Sequence, residues 1–128
     1  ELRDPQFVPL DVELLLHLEA GYFRRDVARA ARFALAPGPH ADGSVGLFHP
    51  DRFTFGQPLY LSQVHAELAR IPGIRCADIV SCHPMGIAAT DELSSGVVRV
   101  GAGEVIRLDD DRNRPEDGRL LIEVEGGL

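Results

Sequence analysis

The residues best suited by type to chemistry fall in three groups: oxygen donors crowded into 109–117, two cysteines with histidines nearby, and arginines at 25, 29 and 32. Asp109, Asp111 and Asn113 have the alternate spacing that opens a calcium loop, and Asp110, Glu116 and Asp117 add further carboxylates. The remainder of that loop fails. Its sixth position needs glycine for the sharp turn and carries Arg114, and its twelfth needs a bidentate glutamate and carries Leu120. Arg112, Arg114 and Arg119 lie among the acids, so the expected state is a solvated, salt-bridged loop without a metal.

Cys76 and Cys82 are the only cysteines. On one extended strand their Cα atoms would lie about 20 Å apart, too far to pair, and two thiols without framework spacing suit a reducing compartment. Cys82-His83, with His65 and Cys76 elsewhere, supplies soft ligand types but lacks the paired spacing of a zinc site. A Cys/His nucleophilic pair needs its members to meet in space, whereas strand neighbours point to opposite faces. The expected reading is a core thiol at Cys82 and a surface imidazole at His83. There is no G-x-S-x-G elbow and no phosphate or dinucleotide loop. Gly101-Ala102-Gly103 sits between strand-like runs, where no helix N-terminus follows to receive a phosphate. The residues therefore select no reaction, and the chain is expected not to be an enzyme.

Arg25, Arg29 and Arg32 would form a ridge on the outer side of a helix, either a solvated face or a docking surface for an acidic partner. All 13 basic residues are arginine, yet the formal net charge is -7. An acidic chain of this kind lacks the clustered basic excess of nucleic-acid binding modules. With 128 residues, 45% of them apolar, it has the length and composition of one folded domain. No run of about 18 apolar residues marks a membrane span, and the opening Glu1-Leu2-Arg3-Asp4-Pro5 has no signal-peptide pattern and no methionine. The start reads as that of a fragment.

The elements that must position these groups follow from periodicity. Val8, Leu10, Val12, Leu14, Leu16 and Leu18 alternate with Asp11, Glu13, His17 and Glu19, the period-two pattern of a strand buried on one face. After Gly21 the period changes to Phe23, Val27, Ala30, Ala31 and Ala34, one stripe of a helix stopped by Pro37-Gly38-Pro39. Residues 37 to 58 are rich in Gly, Pro, His and Asp but carry Val45, Leu47, Phe48, Phe53 and Phe55, which predicts an ordered loop packing its aromatics on the body or on a neighbour. Ser62 is the expected N-cap of a second helix bearing Leu61, Val64, Leu68 and Ile71, closed by Pro72-Gly73. A strand follows from Ile74 to Cys82. Gly96 to Val100 and Glu104 to Leu108 flank the glycine turn as a hairpin, and Leu120 to Val124 is the last strand. The expected fold is α+β: a mainly antiparallel sheet with two helices on one face, a ferredoxin-like or related sandwich, plus the added β-hairpin.

Phe55-Gly56-Gln57-Pro58-Leu59-Tyr60-Leu61-Ser62-Gln63-Val64, then Leu68 and Ile71-Pro72-Gly73-Ile74, resembles the end of the baseplate J-like family of baseplate assembly proteins. Gly103 to Asp111, Arg114 to Leu120 and the final Gly126-Gly127-Leu128 resemble that family's closing segment, and Val8 to Val12 and Ala20-Gly21-Tyr22 also fit. The resemblance implies a single domain, residues 1–128, forming the C-terminal part of a larger baseplate protein of a phage tail, tailocin or injection system. It implies contacts with other baseplate or wedge subunits and with further copies, with assembly in the cytoplasm and a final place in a phage-tail-like particle. No catalytic residue, cofactor, nucleic acid, membrane or small-molecule substrate is implied. The expected protein interface comprises Phe48, Phe53, Phe55 and Tyr60 of the aromatic loop and the Arg25, Arg29, Arg32 ridge. The competing expectation is a small α+β ligand-binding regulatory module.

Overall fold

The computed structural model describes residues 4–128, so the opening Glu1-Leu2-Arg3, read above as the start of a fragment, lies outside the described residues. Strand β1 (Gln6–Leu18) is the organising element. Its Leu10, Val12, Leu14, Leu16 and Leu18 are all buried, and Asp11, Glu13, Leu15 and His17 face the other way, as period two requires. Helix α1 (Arg24–Leu35) buries Val27, Ala31 and Leu35, and helix α2 (Leu61–Ala69) buries Leu61, Val64 and Leu68. Both stripes join the inner side chains of β1 in one core. Each fully buried leucine contributes about 1.5–3 kcal/mol, so this single stripe of β1 is a large part of what holds the domain together.

Strand β3 (Ile74–Pro84) pairs antiparallel with β1 from Leu10↔Pro84 to Leu18↔Ile74. Strands β5 (Glu104–Arg107) and β6 (Arg119–Gly126) pair parallel with β1, at Gln6 to Pro9 and at Asp11 to Leu18 respectively. A two-stranded sheet of β2 (Leu59–Tyr60) and β4 (Val97–Val98) completes the fold, with a short helix α3 (Glu92–Ser95) before β4. The class is α+β, a sheet layer under a helix layer. Antiparallel pairing joins β1 to β3 and β2 to β4, and the parallel pairing of β1 with β5 and β6 is an addition to the expected sheet. The ferredoxin-like alternation of strand and helix is not followed, because α1 and α2 both fall between β1 and β3 with the two-residue β2 as the one strand between them among the described residues.

The expected hairpin is corrected. Val97–Val98 pairs with Leu59–Tyr60, whereas Glu104–Arg107 pairs with the start of β1. Val97 and Val98 are both buried, which a hairpin strand with one solvated face cannot achieve. Between them a tight turn, with the Glu104 N–H donating to Gly101 O and the Glu104 carboxylate accepting from Gly101 N–H, sends the chain from one sheet to the other.

Two irregularities in β3 decide which of its residues face where. The register shifts between Glu13 and Leu14 and between His17 and Leu18, leaving Val80 and Arg75 without partners on β1. Strict alternation from Ile74 would aim Asp78 and Val80 inward. The two bulges instead pack Ile74, Ala77, Ile79 and Cys82 against the core and put Asp78 on the outer face.

The α2 N-cap is also corrected: it is Tyr60, whose N–H donates to Gln63 Oε1 at 2.9 Å, and Ser62 lies inside the helix. Among the described residues no helix is long and apolar enough to cross a membrane.

Candidate interaction surfaces

The segment after α1 shows why part of the expected aromatic interface is absent. A helix ends with carbonyls that have no intrahelical donor. Here the chain turns back, and Leu47 N–H donates to Ala34 O and Phe48 N–H to Leu35 O, both at 3.0 Å. Gly46 makes the crossing possible, because a Cβ at that position would collide with Ala36 O. The return carries Leu47 and Phe48 beneath the surface. Phe48 and Phe53 are only 3% and 6% exposed and their rings stack with centroids 6.2 Å apart, so both are core residues and not interface residues. Phe55 and Tyr60 remain open, at 48% and 52% exposure. Gly56 N–H donates to Glu104 O at 2.8 Å, which brings the stretch that starts at Phe55 against the stretch that starts at Gly103.

The arginine ridge is likewise divided. Arg25 and Arg29 are exposed and make no ion pair among the described residues. Arg32 is removed from the ridge: its guanidinium pairs with Asp110 and donates to Leu120 O at 3.1 Å, so it ties α1 to the acidic loop and to β6. Phe33 continues the outer stripe at four-residue spacing from Arg25 and Arg29 and is 43% exposed, stacked on His40 at 3.9 Å.

The acidic run 109–118 is an excursion between β5 and β6. Asp109 N–H donates to Asp117 O at 3.1 Å and closes its base, where Gly118 lies so near the returning chain that a Cβ would meet Leu108 Cα at 2.7 Å. Its carboxylates are answered by arginines. Arg107 reaches Asp109 at 2.8 Å and Asp117 at 3.4 Å, and Arg114 approaches Asp117 at 3.5 Å. Among the described residues, no group of three or more His, Cys, Asp or Glu is placed to hold a metal ion. A cavity of about 450 Å³ lies beside the excursion, lined by Arg32, Arg112 and Arg119 together with Asp110 and Asp111, and its charges largely offset one another.

Cys82 lies in the core and His83 on the opposite face, its Nδ1 2.9 Å from Pro84 O. Burial pushes the Cys82 thiol up to about 12, aided by the charges of Glu92 and Asp11, which keeps it protonated and unreactive. Cys76 is exposed, and the two thiols are unpaired.

One cluster was not singled out from the sequence. His17, on the outer face of β1, stands between Asp78 of β3 at 2.8 Å and Glu125 of β6 at 3.0 Å. The hydrogen bond to Asp78 is the largest cause and desolvation, which opposes it, the next; with the hydrogen bond to Glu125 and both charges added, its pKa is raised above the usual 6.5. Period two placed His17 outward, but its partners come from strands far away in sequence, one of them set by a bulge. Nearby, Arg119 grips Asp11 with both Nε and Nη2, at 3.0–3.1 Å. Glu13 and Glu123 complete an acidic outer face and make no ion pair among the described residues.

Comparison with known proteins returned no matching family model, no matching curated protein and no matching solved structure.

Proposed function

We propose that this chain is a structural assembly module, a component of a contractile-tail or injection-system baseplate that acts through protein contacts and not through catalysis. The observation that carries the reading is the surface left unfilled by folding. Strand β3 runs 11 residues and, among the described residues, pairs with no strand other than β1, so its outer edge leaves a row of backbone groups outside any ladder. The half-exposed Phe55 and Tyr60 and the meeting of the two baseplate-resembling stretches at Gly56 and Glu104 add to it. A rigid helix pair under such an edge suits assembly, since ordering on binding is costly. In this setting the chain joins its partners in the cytoplasm and ends in a phage-tail-like particle.

The test is capture of neighbouring baseplate subunits and of the flanking parts of the same protein by the immobilised chain. Retention that is lost when Phe55 and Tyr60 are replaced by serine is the expected result, and recovery of nothing would sink the proposal. A second reading, a ligand-binding regulatory module, is favoured by one feature, a cavity of about 280 Å³ lined by Phe7, Phe48, Pro50, Val105, Ile106, Arg107 and Asp109. That volume is near the small end for a metabolite site. Thermal stabilisation by several degrees in a screen of amino acids and nucleotides would favour this reading over assembly.

A further inference from the structure

Two surfaces on opposite sides of the sandwich carry opposite charge, and neither is satisfied within the chain. The first is the outer stripe of α1. Val27, Ala31 and Leu35 face the core, which leaves Arg25, Arg29 and Phe33 on the far side at successive four-residue steps. The neighbouring arginines are occupied, Arg24 by Gly126 O at 2.6 Å and Arg32 by Asp110, whereas Arg25 and Arg29 have no acidic partner among the described residues. Arginine and phenylalanine together are the composition enriched at protein interfaces.

The second surface is the outer face of the main sheet, turned away from both helices. Glu13 of β1 and Glu123 of β6 have no cationic partner among the described residues. Asp78 and Glu125 share the single imidazole of His17, so this group stays net negative in either protonation state. Val80, pushed outward by the bulge in β3, is 46% exposed beside them, and Leu15 and Leu121 are half-buried between the acids. An apolar seat ringed by carboxylates is the complement of two guanidinium groups followed along one helix face by an aromatic ring, that of Phe33, which His40 stacks against.

We propose that the Arg25, Arg29, Phe33 stripe of one copy docks on the carboxylate-bearing outer sheet face of a second copy, head to tail. The two surfaces lie on opposite sides of the two layers, so each copy uses one surface on one neighbour and the other surface on the next. Such a contact is heterologous and continues into a ring or an open stack. The inference deepens the assembly reading by naming a second copy as partner, and it rests on that reading for its biological setting.

The test uses sedimentation velocity on the 128-residue chain and two variants, Arg25→Glu with Arg29→Glu, and Glu123→Arg with Glu125→Arg. The unaltered chain is expected to associate in low salt and to dissociate as salt screens the contact. Each variant alone weakens association by at least about tenfold, because like charges then face one another. An equimolar mixture of the two variants is expected to associate again, since each reversed surface meets an oppositely charged one on the other variant. Circular dichroism checks that both variants fold. A monomeric unaltered chain, association indifferent to both reversals, or a mixture that stays dissociated overturns the proposal. A monomeric chain that still captures neighbouring baseplate subunits overturns head-to-tail docking alone, and an associating chain that captures none overturns the baseplate setting alone.

Discussion

The two faces of β1 are made by the same backbone and differ in almost everything else. On the inner face five consecutive alternate side chains are buried among α1, α2, β3 and β6. On the outer face Asp11 is paired with Arg119 of β6 and His17 with Asp78 of β3 and Glu125 of β6, while Glu13 makes no ion pair among the described residues. The inner face takes its stability from area removed from water, which involves no titrating group and is not weakened by charge screening. The outer face contributes little to stability but fixes where charge is displayed. In this domain, holding the fold and displaying charge are assigned to opposite sides of one strand.

The largest expected effect tests the inner face directly. Leu14→Ala removes a fully buried side chain and should cost about 2–5 kcal/mol in urea unfolding, whereas Leu15→Ala, one residue along and facing out, should cost less than about 1.5 kcal/mol. Equal losses would erase the distinction between the faces. Next comes Gly118→Ala at the neck of the excursion. With φ at 116° and a Cβ that would meet backbone, the substitution should cost about 1–3 kcal/mol in the same measurement. On the outer face, Arg119→Ala removes the forked grip on Asp11 and should cost only about 0.2–1 kcal/mol, as a double-mutant cycle with Asp11→Ala would show.

The smallest effect is that of pH. Because the folded-state pKa of His17 is raised, its contribution to stability is fully present below the unfolded value of 6.5 and is lost as pH rises through the higher folded value. The unaltered chain should therefore lose stability relative to His17→Gln across that interval, by chemical denaturation at a series of pH values. A difference that stays constant with pH, or grows as pH rises, would show that Asp78 and Glu125 do not hold the imidazolium.

The inner face was legible in the sequence because its pattern is local. Alternation over Val8 to Leu18 and the helical stripe through Val27 and Ala31 need no knowledge of partners, and both elements form where expected, although Phe23, expected on that stripe, is the N-cap of α1 and exposed. What was hidden depends on distant segments. The aromatic loop carried Phe48, Phe53, Phe55 and Tyr60 with nothing to say which would turn inward. That division follows from the return of Gly46, Leu47 and Phe48 across the open carbonyls of α1. Val97–Val98 and Glu104–Arg107 looked like hairpin arms because their composition suits strands, yet each found a better partner elsewhere. Of the arginine ridge, the spacing identified the right face of the helix and could not foresee that Asp110 would draw Arg32 away. The His17 cluster was invisible for the same reason, since bulges in β3 choose which of its side chains reach the outer face.

The excursion has a consequence for how this chain can vary. Strands β5 and β6 lie along successive stretches of β1, parallel to it, and residues 109–118 stand outside both ladders. Arg107, opposite Pro9, and Arg119, opposite Asp11, therefore lie on successive stretches of β1 although separated in sequence, and the segment 109–118 is removable or extensible without changing which residue pairs with which. It is a natural point for insertion, where a longer segment, a recognition peptide or a small domain could be grafted while the sheet beneath keeps its register.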